Sequence, residues 1–446
     1  MHPLWCKSER TALLTDLAIE TQALFVGKVS KVVGTVVEAA GLQMRIGQSC
    51  KIMCSSGVPL EAELVGFQGQ FSVLMPSGSV AGIAPGDAIY PQDSSPSIYV
   101  SEALLGKVIN ALGQPLDGTP LPENSHGNFY PLSNSAPNPL LRGLIEDQLQ
   151  LGVRTIDACL PIGTGQRIGL FAGAGVGKST LMGMIARYTA AEVNIIVLTG
   201  ERGRELREFL ERALDPASLS RTIVVTATSD EPPLLRMRAA LTGTAIAEWF
   251  RDQGKQVLLL MDSLTRFMQA QREIGLTMGE PPTNRGYTPS CFSSLASLLE
   301  RAGPGIGGGS ITAIYTVLME GDVTSDPVAD AARAALDGHV VLDRALASKG
   351  HYPPIDLLGS TSRLATVLLQ PNELAAVNKL RKMIAKVDDA RDLIQMGAYE
   401  AGNDAGLDQA LKRMPEIERF LVQEITSGDT IAQARSALFK LVEGVQ

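Results

Sequence analysis

The feature that most constrains this 446-residue chain is an apolar run that leads into a glycine-rich loop and then into a helical pattern. The apolar residues 168–171 precede the loop 172–179, AGAGVGKS, which matches the phosphate-binding signature GxxxxGK[ST] except that Ala172 replaces its first glycine. Glycines let successive backbone N–H groups turn inward around an anion, and the dipole of the following helix adds positive charge. The order of strand, loop and helix therefore predicts a nucleotide-phosphate site.

The residues of this loop have separate predicted roles. Lys178 is expected to reach the β- and γ-phosphates, and the Ser179 hydroxyl is expected to ligate Mg²⁺. The predicted phosphate-binding set is Ala172, Gly173, Ala174, Gly175, Val176, Gly177, Lys178, Ser179 and Thr180.

Two acidic residues follow other apolar runs. Asp262 ends the run 257–261, where a carboxylate at the carboxyl end of a parallel strand can hold Mg²⁺ through water. Glu201 follows the run 194–199 and is expected at the same sheet edge, so it is the predicted general base for a water. The alternatives are a helix cap for Asp262 and a solvated helix start around Glu201.

Three patterns divide the chain. Short β-branched runs cut by glycines predict a small β-barrel over 25–93, preceded by an N-terminal arm over 1–24 that has a short helical pattern. Apolar runs that alternate with helical patterns predict an α/β domain with a parallel sheet over 94–369, including a connecting segment 94–148. Helical periodicity without β-runs predicts a C-terminal helical domain over 370–446. The apolar runs of the α/β domain are IGLFA, NIIVLT, VLLLMD, ITAIYTVLM and HVVLD.

Composition excludes several classes of protein. The net charge of −8 gives no general attraction for nucleic acid or anionic lipid, so no nucleic-acid partner is expected. No run approaches the roughly 20 apolar residues of a membrane-spanning helix, and the N-terminus lacks the apolar core of a secretory signal. Five cysteines at unrelated spacings are typical of reduced thiols, which favours a cytoplasmic protein.

Several long motifs, in a fixed order, resemble a known family: AGAGVGKS, GERGREL, VLLLMDSLTRF, GEPPTNRGYTPS, DGHVVLDRALA and HYPPIDLLGSTSR. They are similar to segments of the RecA-like catalytic subunits of rotary ATP synthases, and within that group to the ATPases of flagellar type III protein export. The likeness extends over about residues 29–423. It implies a RecA-like P-loop NTPase core that hydrolyses ATP with Mg²⁺, flanked by the barrel and the helical domain.

The resemblance also implies roles for single residues near the loop. Lys178 and Ser179 match the phosphate-binding lysine and the Mg²⁺-ligating hydroxyl. Glu201 matches the glutamate that activates water in catalytic subunits, and Arg202 matches a phosphate-sensing arginine. Asp262 matches the acidic residue that ends the second nucleotide strand.

Two further matches lie towards the C-terminus. Tyr352 matches the aromatic residue that packs on adenine. Arg363 matches the arginine that a neighbouring subunit inserts beside the γ-phosphate, so the resemblance implies a homohexamer with sites at subunit boundaries. The alternative for Arg363 is an ordinary salt bridge at a strand end.

The resemblance implies partners as well: a dimeric regulatory (stator-like) subunit, a central stalk protein, an export-gate membrane protein and substrate–chaperone complexes. It implies a cytoplasmic location, docked at the inner-membrane base of the export apparatus, with peripheral membrane association allowed. GPGIGGGSITAIYTVLMEGD, SDPVADAARAALDGH and MGAYEAGNDAGLDQALKRMPEIERFL favour the flagellar branch. The alternatives are the ATPase of a virulence-type injectisome, a rotary ATP synthase catalytic subunit and a RecA-like nucleic-acid translocase.

Overall fold

The chain forms two compact units, Met1–Pro96 and Ser97–Gln446. The computed structural model describes residues 26–54, 57–92, 95–122, 126–319 and 326–444. The predicted arm over 1–24, with its helical pattern, lies outside these residues. Helices that follow residue 370 belong to the same unit as the central sheet, so the limits given above for the domains stay predictions.

Within the first unit, the described residues form a closed antiparallel barrel, which confirms the predicted one. Its order is β1-β2-β5-β4-β3-β6. The glycine turns have the predicted effect, because Gly34 and Gly69 join neighbouring strands with φ of +58° and +60°. Val37, Leu64 and Ile89 are among the side chains that fill the interior. The strands are β1 (Gly27–Val33), β2 (Val36–Ala40), β3 (Ser49–Met53), β4 (Pro59–Gln68), β5 (Phe71–Pro76) and β6 (Ala88–Pro91).

The second unit is built on a mainly parallel sheet. Its strands are β7 (Ser97–Ser101), β8 (Val108–Asn110), β9 (Gly127–Pro131), β10 (Arg167–Ala172), β11 (Val193–Glu201), β12 (Thr222–Thr228), β13 (Gln256–Asp262), β14 (Gly303–Pro304), β15 (Ser310–Leu318), β16 (Gly338–Leu342) and β17 (Ile355–Ser362). The order is β17-β16-β10-β15-β13-β11-β12-β8, with β14 paired to β15 and a separate β7-β9 ribbon. Strands β16 to β8 are parallel, as predicted, whereas β17 is an antiparallel edge strand.

Helices cover both faces of this sheet, which explains why its strands are apolar without alternation. In β11, Ile195 and Val197 pack on the side of the helix Pro233–Asp252, while Ile196 and Leu198 pack on the other side. The helices are α1 (Arg154–Cys159), α2 (Lys178–Tyr188), α3 (Gly203–Arg212), α4 (Pro216–Ser220), α5 (Pro233–Asp252), α6 (Leu264–Thr277), α7 (Pro289–Glu300), α8 (Pro327–Ala335), α9 (Arg344–Ser348), α10 (Ala365–Leu368), α11 (Pro371–Asp389), α12 (Arg391–Gln395), α13 (Ala405–Leu421) and α14 (Ile431–Val442).

The last helices, α11 to α14, confirm the predicted helical C-terminal region. Leu380, Ile417 and Leu438 are buried where α11, α13 and α14 pack together. An ion pair joins Arg154 of α1 to Asp429 at 2.5 Å and ties this bundle to the sheet. Within the described part of the chain, no helix is long and apolar enough to span a membrane.

Candidate nucleotide-binding and catalytic site

The glycine-rich loop lies where β10 ends and α2 begins. We call this end of the sheet the carboxyl edge, because β10, β11 and β13 all end there. Gly175 and Gly177 have φ of +74° and +101°, a region that L side chains rarely adopt, so both positions need glycine. Ala172 is the buried last residue of β10 and has no positive φ, so alanine is tolerated where the signature has glycine. The loop therefore has the local conformation of an anion nest.

The structure brings together three of the predicted site residues at this edge. The Lys178 Nζ lies 2.5 Å from Asp262 Oδ1 and 3.8 Å from Glu201 Oε1. The side chains are only 11%, 4% and 16% exposed, respectively. Leu198 of β11 pairs with Asp262, so Glu201 lies three residues further along the chain at the same end of the sheet, and both carboxylates lie within 4 Å of the Lys178 ammonium.

A residue that the sequence did not single out completes the surroundings of Asp262. Thr316 lies on the neighbouring strand β15, is fully buried, and donates a hydrogen bond of 2.7 Å to Asp262 Oδ1. The Thr316 hydroxyl and the Lys178 ammonium thus contact the same oxygen of the carboxylate, Oδ1. A signal was present in the sequence, since Thr316 is a polar residue inside the apolar run ITAIYTVLM.

The surroundings of Glu201 favour its protonated form. Burial first, and the nearby charge of Asp262 second, raise its pKa to about 7, although the Lys178 ammonium opposes the shift. A hydrogen bond with Glu205 acts in the same direction as burial. A carboxylate with a pKa near neutral pH is suited to take a proton from water and later release it.

The oxygen donors at the carboxyl edge fit Mg²⁺. This ion prefers oxygen ligands, keeps several waters and is often held by one or two protein groups together with phosphate oxygens. The Ser179 hydroxyl, in the first turn of α2, and the Asp262 carboxylate can supply these groups. The described residues contain no cluster of three or more His, Cys, Asp or Glu that could hold a metal by itself. A Mg²⁺ here would depend on the phosphates for its remaining ligands.

Tyr352 lies at the loop, and the Arg202 side chain points into solvent. A Cβ built on Gly177 would lie 3.5 Å from the Tyr352 ring, and that ring is 42% exposed. The side chain of Arg202 is 82% exposed and pairs with Glu205 at 3.4 Å, so it is directed into solvent.

Arg363 lies at the opposite end of the sheet, which we call the amino edge. It follows β17, whose antiparallel course pairs Ile355 with Leu342 at the carboxyl edge and Ser362 with Gly338 at the amino edge. These levels are about 13 Å apart at the usual rise along a strand. Arg363 is exposed and donates a hydrogen bond of 3.0 Å to the carbonyl of Arg333. The structure therefore separates Arg363 from the phosphate loop of its own chain.

Two sequence profiles match this chain. The profile described as "ATP synthase alpha/beta family, nucleotide-binding domain" covers residues 152–362, which include the loop, Glu201 and Asp262. The profile described as "T3SS EscN ATPase C-terminal domain" covers residues 369–440, which correspond to the C-terminal helices.

Curated relatives and solved structures agree with these profiles. The flagellum-specific ATP synthase of Bacillus subtilis is 48% identical, with 93% of this chain and 94% of the relative covered. The type 3 secretion system ATPase of Xanthomonas euvesicatoria is 47% identical, with 93% of each covered. The structure of the assembled ATPase EscN from the type III secretion system of enteropathogenic E. coli is 43% identical. It superposes with a TM-score of 0.88 over 93% of this chain and 100% of that chain. This chain therefore belongs to the ATP synthase alpha/beta family, in the branch of flagellum-specific ATP synthases and type 3 secretion system ATPases, and is an ATPase.

Proposed function

We propose that this type III export ATPase serves a bacterial flagellum, where it couples ATP hydrolysis to the release, unfolding and export of substrate proteins. The observation that carries the enzymatic part is the buried cluster of Lys178, Glu201 and Asp262 beside the glycine loop. The flagellar part is supported by relatives such as the 48% identical flagellum-specific ATP synthase of Bacillus subtilis.

In the proposed mechanism, residues 172–180 surround the phosphates of ATP and Tyr352 packs on the adenine. The Lys178 ammonium, now paired with Asp262, turns towards the phosphates when they arrive and leaves Asp262 and the Ser179 hydroxyl for Mg²⁺. A Mg²⁺ held by the Ser179 hydroxyl and the Asp262 carboxylate would supply positive charge beside the phosphate oxygens. Glu201 accepts a proton from the attacking water at its carboxylate, for which a pKa near 7 is suited. Arg202 would have to leave its exposed position to sense a phosphate.

Arg363 completes the site of a neighbouring copy in this proposal. Its place at the amino edge keeps it from its own loop, so a second chain has to present its carboxyl edge to it. Such a contact joins two different surfaces, and a heterologous contact of this kind builds a closed ring when its rotation closes. We propose a homohexamer, in line with the description of the related EscN structure as an assembled ATPase.

A backbone hydrogen bond followed by three ion pairs leads from Arg363 along the amino edge. The Arg363 N–H donates to the carbonyl of Asp337 at 3.0 Å, and the Asp337 carboxylate pairs with Arg167 at 3.2 Å. Arg167 pairs with Glu300 at 2.7 Å, and Glu300 pairs with Arg142 at 3.6 Å. Arg142 therefore lies on the same side of the unit as Arg363.

The turn that contains Arg142 displays apolar side chains to solvent. Leu140, Leu141 and Leu144 are 92%, 58% and 83% exposed, and Ile306 nearby is 64% exposed. The turn is held by its own hydrogen bonds, since both Leu140 and Leu141 donate their N–H groups to Asn138. Exposed apolar clusters on an ordered segment are typical of protein interfaces, which supports a second copy as the neighbour here.

Further partners and the location belong to the same proposal. One related structure contains EscN in complex with its central stalk EscO, with 42% identity and a TM-score of 0.86 over 93% of this chain and 100% of that chain. We propose a stalk protein as a partner of this chain too, together with a dimeric regulatory subunit, an export-gate membrane protein and substrate–chaperone complexes. The chain would act in the cytoplasm at the inner-membrane base of the apparatus.

The second candidate is the ATPase of a virulence-type injectisome, which the 47% identical relative from Xanthomonas euvesicatoria supports. Deletion of the gene separates the two, because loss of swimming motility is expected for a flagellar role. Motility that stays normal while secretion of virulence proteins stops would contradict the flagellar proposal.

The shared site is tested by measuring the specific ATPase rate against protein concentration. The rate is expected to fall as the protein is diluted to monomer, because Arg363 and the loop of one chain cannot meet. A specific rate that does not change down to demonstrated monomer would contradict a trans-acting Arg363.

A further inference from the structure

Arg344, which no sequence pattern places at the phosphate loop, contacts that loop. Its Nη2 donates a hydrogen bond of 3.1 Å to the backbone carbonyl of Ala174. Arg344 begins α9 directly after β16, and the pairing of Leu342 with Ala172 brings the ends of β16 and β10 to the same level. The position of Arg344 is thus fixed by the sheet register rather than by a mobile segment.

The Ala174 carbonyl matters because of what lies on the other side of the same peptide group. A trans peptide is planar, with its C=O and N–H pointing in opposite directions. Fixing the carbonyl of Ala174 towards Arg344 therefore directs the N–H of Gly175 the other way. Gly175 has the positive φ of an anion nest, in which N–H groups face the ligand and carbonyls turn away from it. The outward carbonyls need other donors, and Arg344 supplies one.

The fit around the guanidinium is close. A Cβ built on Gly173 would lie 3.4 Å from Arg344 Nη2 and 3.5 Å from Val176 Cγ2, so the guanidinium lies in van der Waals contact range of position 173 as well. Among the residues that the structure describes, Arg344 has no carboxylate within ion-pair distance. Within the described residues, the guanidinium of Arg344 therefore has the Ala174 carbonyl as its hydrogen-bond acceptor.

We propose that Arg344 is a positioning residue for the nucleotide phosphates, which acts by holding the Ala174 carbonyl so that the Gly175 N–H faces the bound anion. This inference rests on the proposed nucleotide site and adds a residue to it from the chain's own α9. It differs from the proposed role of Arg363, which belongs to the neighbouring copy.

The test compares Arg344→Met, which keeps the aliphatic stem but cannot donate, with Arg344→Lys, which can. Arg391→Met is the matched control, because Arg391 is an exposed arginine that pairs with Asp388 away from the loop. Calorimetry with Mg²⁺ present measures the affinities for ADP and for a non-hydrolysable ATP analogue, and steady-state kinetics give KM and kcat.

Loss of a charged hydrogen bond predicts about tenfold weaker binding of both nucleotides for Arg344→Met. KM should rise in parallel. At saturating ATP, kcat should stay within about threefold, because the loop binds the phosphates equally well in the ground state and in the transition state. Arg344→Lys should recover most of the affinity, and Arg391→Met should match the unsubstituted chain.

Two results would overturn the inference. One is an unchanged affinity in Arg344→Met while the unsubstituted chain binds ATP normally. The other is an equal loss in the Met and Lys variants together with a lower Tm in both, which would make Arg344 a purely structural residue. Failure of the unsubstituted chain to bind ATP would instead remove the proposed function, and this inference with it.

Discussion

The carboxyl and amino edges of the parallel sheet hold their charges in different ways. At the carboxyl edge, Lys178 and Asp262 are almost fully buried, and Glu201 beside them has its pKa raised to about 7. At the amino edge, Glu300 is half exposed and Arg363 is exposed. A buried cluster of charged side chains with a perturbed pKa is typical of a site for a small charged ligand. Exposed charges beside exposed leucines are typical of a surface that binds another protein. In this account the active site needs both edges, taken from two copies of the chain.

The largest effect is expected from the amino edge, although it lies far from the loop of its own chain. Arg363→Ala should lower kcat by about 10³-fold or more, since arginines that act in trans contribute about 10³–10⁵ in NTPases that use them. Arg333→Ala, which removes the neighbouring side chain but keeps the carbonyl that Arg363 contacts, is the control. A rate for Arg363→Ala within tenfold of the unsubstituted chain, measured on assembled protein, would contradict a role of Arg363 in the active site of a neighbouring copy.

At the carboxyl edge, Glu201→Gln should lower kcat by about 10²–10⁴-fold, the usual contribution of a general base. Nucleotide affinity should change little, because Lys178 and the loop are unaltered. Glu208→Gln is a suitable control, because Glu208 lies further along α3 and pairs with Arg212. If both variants lose the same activity, the assignment of the base to Glu201 is wrong.

The exposed turn of the amino edge should affect assembly more than chemistry. Leu140→Ser combined with Leu144→Ser should raise, by about 10²–10³-fold, the protein concentration at which the specific ATPase rate falls, because burial of each leucine contributes about 2 kcal/mol and about 1.4 kcal/mol is a factor of ten. Leu116→Ser, at a leucine that is 53% exposed elsewhere in the unit, is the matched control. Sedimentation of the double variant should show smaller species. Unchanged assembly would mean that this turn is not at the interface.

The smallest effect is a pH-dependent change in stability. The folded state raises the pKa of Glu201 from 4.5 to about 7, so folding becomes less favourable as pH rises through this window and the carboxyl group has to ionise while buried. Glu201→Gln removes that cost and should stabilise the nucleotide-free protein by on the order of 2 kcal/mol at pH 8, and much less at pH 5. Denaturant unfolding at both pH values, with Glu208→Gln on the exposed face of α3 as the control, measures the difference. A gain that is equal at the two pH values would contradict the raised pKa.

Much of this arrangement could be predicted from residue patterns, and the failures have physical causes. The continuous apolar runs and the glycine turns were sufficient for the parallel strands and the barrel. Strand β12 is not among the predicted strands because its apolar run, 223–225, has only three residues between Thr222 and Thr226, although both threonines are buried in the sheet.

The site residues likewise divide into those that local patterns predict and those that they do not. Lys178, Glu201 and Asp262 could be placed together because parallel strands end at one edge. The contacts of Thr316 and Arg344 depend on strand order and register, which local sequence does not contain. The separation of Arg363 from its own loop depends on the antiparallel direction of β17.

Mixing two inactive variants tests whether one active site takes Glu201 from one copy and Arg363 from the next. In a ring assembled from equal amounts of Glu201→Gln and Arg363→Ala chains, about a quarter of the interfaces pair an intact Glu201 with an intact Arg363. If the site is shared between copies, the mixture should recover about a quarter of the unsubstituted rate, while each variant alone, and a chain that carries both substitutions, stays inactive. A mixed ring of demonstrated composition whose rate remains that of the separate variants would contradict a shared site.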